Sequence, residues 1–341
     1  MFVCMNRFLV LFLSFGSMHL FAQKIDFIVN NISLPAEVSF YDNQFSGLYI
    51  HANKLFFLSE SRLQDNAEAK LYSILLADIE NKLKDTSSIL PFTKIPILNL
   101  AVLRAKMKDN GDEYEGLEAM VIDKKNIYLS VETTTASNNC YLLKGVITDT
   151  AIILDEVKFI VLKKPLLKDC KHIYNAGFEA MVKMKKTLFA FFEYNYFLDS
   201  NIVDNINLRS FLGGKNKSFS IKKLPFRLTD ITAVGKHNYT AINYFYNGSG
   251  EDEIYRVGSY DSINHKLIYD ITGYKSYARL IFLKYRNKKF IWEPIWEFPK
   301  SLGIYNWEGL AAYKKGYFVM NDKYTSVKPY KSVLIYLRLT K

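Results

Sequence analysis

A short pattern that recurs along the chain constrains the fold more than any other feature. Residues 116–132 read GLEAMVIDKKNIYLSVE, and residues 177–193 read GFEAMVKMKKTLFAFFE. Looser copies occupy residues 46–60, 230–244 and 307–322. Each copy is an apolar run, a polar turn, a second apolar run and a polar or acidic stop. Such self-similarity at a spacing of tens of residues is typical of repeat architectures.

Each copy also begins a longer set of predicted strands. Aromatic and β-branched residues alternate with other types, which predicts strands, and the turns KKN, KKT, KHN and KKG predict tight hairpins. A third predicted strand follows all five copies, and a fourth follows most of them. Four antiparallel strands per repeat form a propeller blade, so the sequence predicts an all-β, five-bladed β-propeller.

The two ends of the chain indicate how the ring closes. The last copy ends at Lys341 after its third strand, and an unassigned strand, KIDFIVNNISL at 24–34, precedes the first copy. We expect this N-terminal strand to lie outermost in the last blade. The long segment between Asp230 and Glu308 leaves a six-bladed alternative, with a blade near residues 251–275; otherwise that segment is an insertion in blade four.

Residues 1–22 have the pattern of a secretory signal peptide. Arg7 precedes an apolar stretch, and Ala22 supplies a small residue for cleavage. The alternative is an uncleaved anchor, although the apolar run is short for a membrane span. We expect a single propeller domain over residues 23–341, secreted or periplasmic and monomeric, with no transmembrane segment after signal cleavage.

The formal net charge of +11 indicates anionic partners. An anionic small molecule or a phosphorylated substrate is compatible with it. The sequence contains no basic run, zinc-ligand spacing or RNA-binding aromatic motif, so we expect no nucleic-acid partner.

The repeated polar positions predict two rings of side chains at one mouth of the central channel. The first strand of each blade lines the channel, so the starts of the five copies converge there. The inner ring contains Ser46, Glu118, Glu179, Asp230 and Glu308, and the outer ring contains Glu60, Glu132, Glu193, Tyr244 and Asp322. Converging carboxylates repel one another unless a cation neutralises them, and oxygen ligands suit Ca²⁺. The alternative is that these residues cap the blades by accepting backbone N–H bonds.

Two cysteines follow the signal peptide. Cys140 begins a third strand, and Cys170 lies in the loop before the next blade. Because both loops belong to the same face of an exported protein, we expect a disulfide; the alternative is two thiols.

The motifs SGLYIHANKLFFLSESR, GLEAMV, GFEAMV and WEGLAAYKKGYFVMND resemble two propeller families. One is the calcium-activated nucleotidase (apyrase) family, and the other is the phytase-like family, with esterase-like activity of phytase. The nucleotidase resemblance implies a single Ca²⁺ in the channel, held by the inner ring. Asp230 departs from that pattern, which usually has a small hydroxyl residue, and Glu60-Ser61-Arg62 replaces an acidic pair followed by Arg.

A metal-dependent hydrolase of phosphoesters or phosphoanhydrides follows from this resemblance. In that hypothesis Glu60 or Glu132 orients water, and Arg62 and Lys323 hold phosphate together with His172. The sequence contains no G-x-S-x-G, P-loop or H-E-x-x-H motif.

A non-catalytic binding propeller with a structural cation is the alternative function. Aromatic residues are frequent in the loops on the same face and would suit a carbohydrate, a peptide or a protein partner. These residues are Tyr194, Tyr196, Phe197, Tyr244, Phe245, Tyr246 and Tyr324.

Overall fold

Five four-stranded antiparallel blades form the fold. The computed structural model describes residues 25–61, 69–197, 201–211, 217–303, 305–325 and 331–340. The predicted signal peptide lies outside the described residues. In this part of the chain, no helix is long and apolar enough to cross a lipid bilayer.

The blades follow one another along the sequence. Blade 1 comprises β2 (Phe45–His51), β3 (Lys54–Ser59), β4 (Lys70–Leu75) and β5 (Thr93–Leu98). Blade 2 comprises β6 (Tyr114–Asp123), β7 (Asn126–Thr133), β8 (Asn139–Ile147) and β9 (Ile152–Lys163). Blade 3 comprises β10 (Ala180–Met184), β11 (Thr187–Phe191), β12 (Ile202–Asn207) and β13 (Lys217–Ile221). Blade 4 comprises β14 (Arg227–Ala233), β15 (Asn238–Phe245), β18 (Tyr277–Arg286) and β19 (Lys289–Glu297). Blade 5 comprises β20 (Tyr305–Tyr313), β21 (Gly316–Thr325), β22 (Leu334–Leu339) and β1 (Phe27–Ile32).

The N-terminal strand closes the ring, as predicted. Strand β1 pairs antiparallel with β22, from Phe27 opposite Leu339 to Ile32 opposite Leu334. The last blade therefore combines both ends of the chain. The outermost strands of blades 1 and 2 also touch in parallel, as do those of blades 3 and 4.

The long segment before Glu308 is an insertion and not a sixth blade. Residues 246–276, the blade-4 insertion, contain a 3₁₀ segment (Gly250–Tyr255), helix α4 (Ser262–Ile268) and the two-residue strands β16 (Tyr269–Asp270) and β17 (Gly273–Tyr274). Three other helices connect strands: α1 (Ala36–Ser39), α2 (Leu76–Lys84) and α3 (Leu100–Asp109). Two further 3₁₀ segments span Tyr41–Asn43 and Lys300–Leu302.

The apolar core consists of five clusters, one between each pair of neighbouring blades. Leu58 and Leu129 belong to the cluster between blades 1 and 2, and Phe189 and Leu283 to the cluster between blades 3 and 4. Blades 2 and 3, 4 and 5, and 5 and 1 pack in the same way. Because each blade buries both faces against its neighbours, the first strands are held around a fixed axis.

Candidate functional site

An irregularity in strand pairing positions the inner ring. In blade 1 Phe45 pairs with Ser59 and Gly47 pairs with Leu58, so Ser46 has no residue opposite it. Blade 5 repeats this arrangement at Glu308, between Trp307 and Gly309, and blade 2 has a similar irregularity at Glu118-Ala119. A β-bulge of this kind turns the extra side chain out of the regular alternation. The bulges therefore direct one side chain from each of these blades towards the channel mouth.

The same bulge in blade 4 falls on Thr229 and corrects the predicted alignment by one residue. Leu228 pairs with Asn243 and Asp230 pairs with Ile242, which leaves Thr229 at the position that Ser46 holds in blade 1. Asp230 corresponds to Gly47. The inner ring therefore comprises Ser46, Glu118, Glu179, Thr229 and Glu308, and the small hydroxyl residue that was missing from the pattern is present.

The two hydroxyl groups of the inner ring make equivalent contacts. Ser46 Oγ donates to the carbonyl of Leu117 at 2.6 Å, and Thr229 Oγ1 donates to the carbonyl of Trp307 at 2.7 Å. Each acceptor is the residue immediately before a ring glutamate of the next blade. A hydroxyl that donates its proton keeps its oxygen lone pairs for another partner.

Asp230 caps backbone groups of three blades. Its Oδ2 accepts from Leu310 N at 2.6 Å and from Leu48 N at 3.4 Å, and its Oδ1 accepts from Ile231 N at 2.7 Å. Burial raises the pKa of this carboxyl group, and the three N–H donors oppose that rise. Asp230 is therefore a blade cap, which is the alternative that the sequence left open for all the ring residues.

A pocket of about 370 Å³ lies at the channel mouth, beside the ring. Three inner-ring residues, Glu118, Glu179 and Glu308, line it, as do three outer-ring residues, Glu60, Glu132 and Asp322. The remaining lining residues are Glu115, Tyr174, Asn175, Arg227, Tyr246, Asp252 and Asn306. Within the part of the chain that the structure describes, eight carboxyl groups and one guanidinium group thus line a single pocket.

Two glycines make room for these carboxylates. A Cβ atom on Gly116 would lie 2.7 Å from Glu118 Oε1, and one on Gly177 would lie 3.2 Å from Glu132 Oε1. A residue with a Cβ atom at either position would crowd a pocket glutamate. This explains why the two best-preserved repeats begin with glycine two positions before glutamate.

Glu179 is the clearest orphan among the carboxylates. Its residue is 6% exposed, and its Oε2 atom is buried without a hydrogen-bond partner among the described residues. Burial and the nearby charges of Glu193, Glu308 and Glu132 raise its pKa. Burial and the neighbouring Asp322 likewise raise the pKa of Glu308.

Glu193 of the outer ring is buried beneath the pocket and belongs to a network with Tyr255 and Arg227. Tyr255 donates its hydroxyl to Glu193 Oε1 at 2.6 Å, and Arg227 Nη1 lies 3.4 Å from Glu193 Oε2. The Arg227 guanidinium also stacks on the Tyr255 ring at 3.9 Å and contacts Asp252 at 3.2 Å. Tyr244, the remaining outer-ring residue, is buried beside the pocket, and burial and Asp322 raise its pKa.

The predicted phosphate contacts are not among the described lining residues. Arg62 lies outside the described residues, and Lys323 belongs to β21 but its side chain is not described. His172 does not reach the pocket; its Nε2 lies 3.2 Å from Asn138 Oδ1, and burial lowers its pKa. Among the described lining residues Arg227 is the one cation, and it was not among the predicted site residues. The sequence feature that could have indicated Arg227 is its position at the start of the first strand of blade 4.

The predicted disulfide is wrong. Cys140 and Cys170 are both free; Cys140 is buried in a core cluster, whereas Cys170 is exposed in a turn. Burial raises the pKa of the Cys140 thiol to about 12. Its side chain packs in the apolar cluster between blades 2 and 3, which also contains Ile173 of the loop that carries Cys170.

The donor set suits a hard cation, although the side chains are not gathered around one. Three carboxylates and two hydroxyls are oxygen ligands of the kind that Ca²⁺ takes, and Glu179 Oε2 is buried without a hydrogen-bond partner among the described residues. Across the described residues, no group of three or more His, Cys, Asp or Glu side chains is arranged to hold a metal ion.

Comparisons with known proteins give distant structural likenesses. No protein-family model matches the sequence, and no curated protein matches it. A solved GH43_1 enzyme from Xanthomonas citri is 6% identical, with a TM-score of 0.45, over 88% of this chain and 90% of that chain. The RS223 beta-xylosidase is 7% identical, with a TM-score of 0.48, over 89% and 97% of the two chains. The allergen Mala s 1 of Malassezia sympodialis is 10% identical, with a TM-score of 0.42, over 91% and 95%. The β-propeller fold follows from the strand topology itself, and these likenesses say nothing about activity.

Proposed function

We propose that this propeller binds a divalent cation at its channel mouth and hydrolyses a phosphate ester or anhydride in the pocket beside it. The observation that carries the proposal is the inner ring: glutamates from three blades and hydroxyls from the other two occupy equivalent positions. The predicted export of the chain is part of this proposal, since extracellular fluids supply calcium.

Charge balance supports a cation in this pocket. Among the described lining residues, eight carboxyl groups are opposed by one guanidinium group, which already contacts Glu193 and Asp252. Two like charges about 4 Å apart near a protein surface repel by roughly 4 kcal/mol. Either some carboxyl groups hold protons at neutral pH, or a cation neutralises them.

Ca²⁺ is the cation that fits these residues best. It accepts six to eight oxygen ligands, including hydroxyl and carbonyl oxygens, in flexible geometry. Glu118, Glu179 and Glu308 would hold it together with Ser46 and Thr229. No described thiol or imidazole lines the pocket, which disfavours zinc and copper.

A bound Ca²⁺ would neutralise a phosphate and acidify a coordinated water. The residues around it would then perform three tasks. Glu60 or Glu132 would accept a proton from the attacking water. Arg227 would contact a phosphate oxygen, because its side chain lines the pocket. Asn175 and Asn306 would orient the substrate from the rim.

A second candidate is the hydrolysis of an uncharged glycoside by paired carboxyl groups. The specific observation is that Glu179, whose pKa burial raises, lines the pocket together with seven other carboxyl groups of the described residues. Neighbouring carboxyl groups whose environments separate their pKa values are the acid–base machinery of glycosidases. The negative pocket would also admit a neutral sugar more readily than an anion.

The deciding experiment compares two substrate panels with calcium and with a chelator. One panel contains nucleotides, phytate and simple phosphomonoesters; the other contains aryl glycosides. The proposal expects phosphate release that requires calcium and is lost in Glu118→Gln. The exposed Glu156, on an outer strand, provides the matched control Glu156→Gln.

The other outcomes of this experiment would each indicate a different function. Glycoside hydrolysis without a calcium requirement would establish the second candidate. No turnover, together with a melting temperature raised by calcium, would leave a binding propeller with a structural ion. No response to calcium in either assay would refute the cation proposal.

A further inference from the structure

Lysines concentrate at the channel mouth opposite the acidic pocket. The first strand of each blade starts beside the pocket and ends in a hairpin turn on the other face. The turns joining first and second strands include Lys124, Lys125, Lys185, Lys186, Lys236, Lys314 and Lys315. All seven lysines are exposed, and none of these five turns contains an acidic residue. We call these seven residues the lysine ring.

Most of this charge is not neutralised within the protein. Glu80 contacts Lys314, and the nearby Asp123 is occupied by Lys183 at 2.7 Å. The other six members of the lysine ring have no carboxylate within ion-pair distance among the described residues. The outer turns of this face carry both signs, for example Asp149 and Lys288.

The backbone of the turns provides a second, independent observation. Lys124, Lys185 and Lys314 adopt left-handed conformations, with φ of 60°, 56° and 49°. Tight hairpins strongly favour Asn, Asp or Gly at such positions, because a longer side chain is strained there. Three blades thus have lysine at a turn position where backbone conformation favours another residue, which indicates that the positive charge has a function.

We infer that the lysine ring docks the protein on an anionic lipid surface, with the acidic pocket facing away from it. Cations from four of the five blades, clustered around one axis, match a flat layer of charges, whereas a nucleic-acid strand fits a linear groove. The ring turns contain no Phe, Tyr or Trp on which bases could stack. Lysine is a strongly hydrated point charge, suited to mobile headgroups without a fixed fork geometry.

This docking is tested by co-sedimentation of the purified protein with lipid vesicles. Vesicles of phosphatidylcholine alone are compared with vesicles that also contain phosphatidylglycerol. Binding is expected only to the second, and it should fall sharply between about 0.1 M and about 1 M salt, as the Debye length shrinks from ~10 to ~3 Å.

The informative variant is Lys124→Asn with Lys185→Asn. Asparagine suits both turns, so the variant should fold at least as well as the parent. Each surface lysine multiplies the partition coefficient by about five, so the double variant should bind roughly 25-fold more weakly. The matched control, Lys108→Asn with Lys266→Asn, makes the same charge change in α3 and α4 on the pocket face and should bind nearly as the parent does.

Two results would overturn the inference. One is equal loss in the test and control variants, which would mean that net charge alone drives association. The other is tighter binding to double-stranded DNA or heparin than to the anionic vesicles at the same salt, which would assign the ring to a polyanion instead. Neither result depends on turnover, so both are separable from the fate of the proposed hydrolase.

Discussion

Replacing Asp230 with asparagine tests whether this residue is a blade cap or a metal ligand. Both carboxylate oxygens accept backbone N–H groups, from Leu310 and Leu48 on one side and Ile231 on the other. Asparagine keeps the shape but replaces one oxygen with an NH₂ group. At least one backbone N–H then faces another donor in a site that is 5% exposed.

The magnitude follows from those three hydrogen bonds. An orphaned buried N–H costs about 1–3 kcal/mol, and each hydrogen bond that is lost or weakened costs about 0.5–1.5 kcal/mol more. Asp230→Asn should therefore lower the free energy of unfolding by roughly 2–5 kcal/mol. Asp204→Asn is the control, because Asp204 accepts one bond, from Ser218 at 3.2 Å, and should change stability by less than about 1 kcal/mol.

Denaturant unfolding gives the stability, and terbium luminescence sensitised by the pocket tyrosines reports cation binding. Asp230→Asn should lose stability and still bind terbium with near-parental affinity once folded. Thr229→Val, which removes the ring hydroxyl but keeps the shape, should weaken terbium binding. Asp230 is not a structural cap if Asp230→Asn is as stable as the parent, or if Asp230→Asn loses the cation while Thr229→Val retains it.

Three further predictions follow from the pocket and the thiols. The folded state raises the pKa of Glu179 and therefore holds the proton of this carboxyl group more tightly than the unfolded chain does. The chelated protein should lose free energy of unfolding as the pH rises from about 5 to about 8, and Glu179→Gln should reduce this pH dependence in denaturant titrations. Gly177→Ala should cost about 1–3 kcal/mol by displacing Glu132, and should reduce terbium luminescence, whereas Gly111→Ala, in an open turn, should leave luminescence unchanged. Ellman's reagent should modify Cys170 in the native protein and Cys140 only after unfolding. If neither cysteine reacts before a reductant is added, the two cysteines form the disulfide after all.

The fold was predictable because the repeat carries its own geometry. Alternating apolar residues specify strands buried on both faces, and the Lys-Lys turns specify where each hairpin reverses. The missing fourth strand of blade 5 and the spare strand at 24–34 predicted the closure that β1 and β22 make. The blade-4 insertion has no such signal, because its short helix and tiny strands depend on packing against the pocket wall.

The site was only partly predictable, since its contacts join residues far apart in sequence. Glu118 and Glu179 were found from the repeat, whereas Arg227 and Tyr255 have no counterpart in the other blades. Tyr255 reaches Glu193 from the blade-4 insertion, across a sequence separation of 62 residues. The disulfide prediction failed because proximity of two loops does not fix the direction of a side chain, and Cys140 points into the core.

One structural cause underlies both the convergence of the ring and the error at Asp230. Regular alternation would send neighbouring residues of a strand to opposite faces, so a carboxylate at a repeat position need not face the axis. The bulge adds one residue and thereby shifts which side chain is presented. In blades 1 and 5 the bulged residue coincides with the repeat position, at Ser46 and Glu308. In blade 4 the bulged residue precedes the acidic residue. Alignment of the repeats by sequence therefore selects Asp230, whereas alignment by strand pairing selects Thr229. The carboxylate thus displaced from the ring joins blades 1, 4 and 5 through their backbones, so one residue of offset separates a candidate ligand from a structural cap.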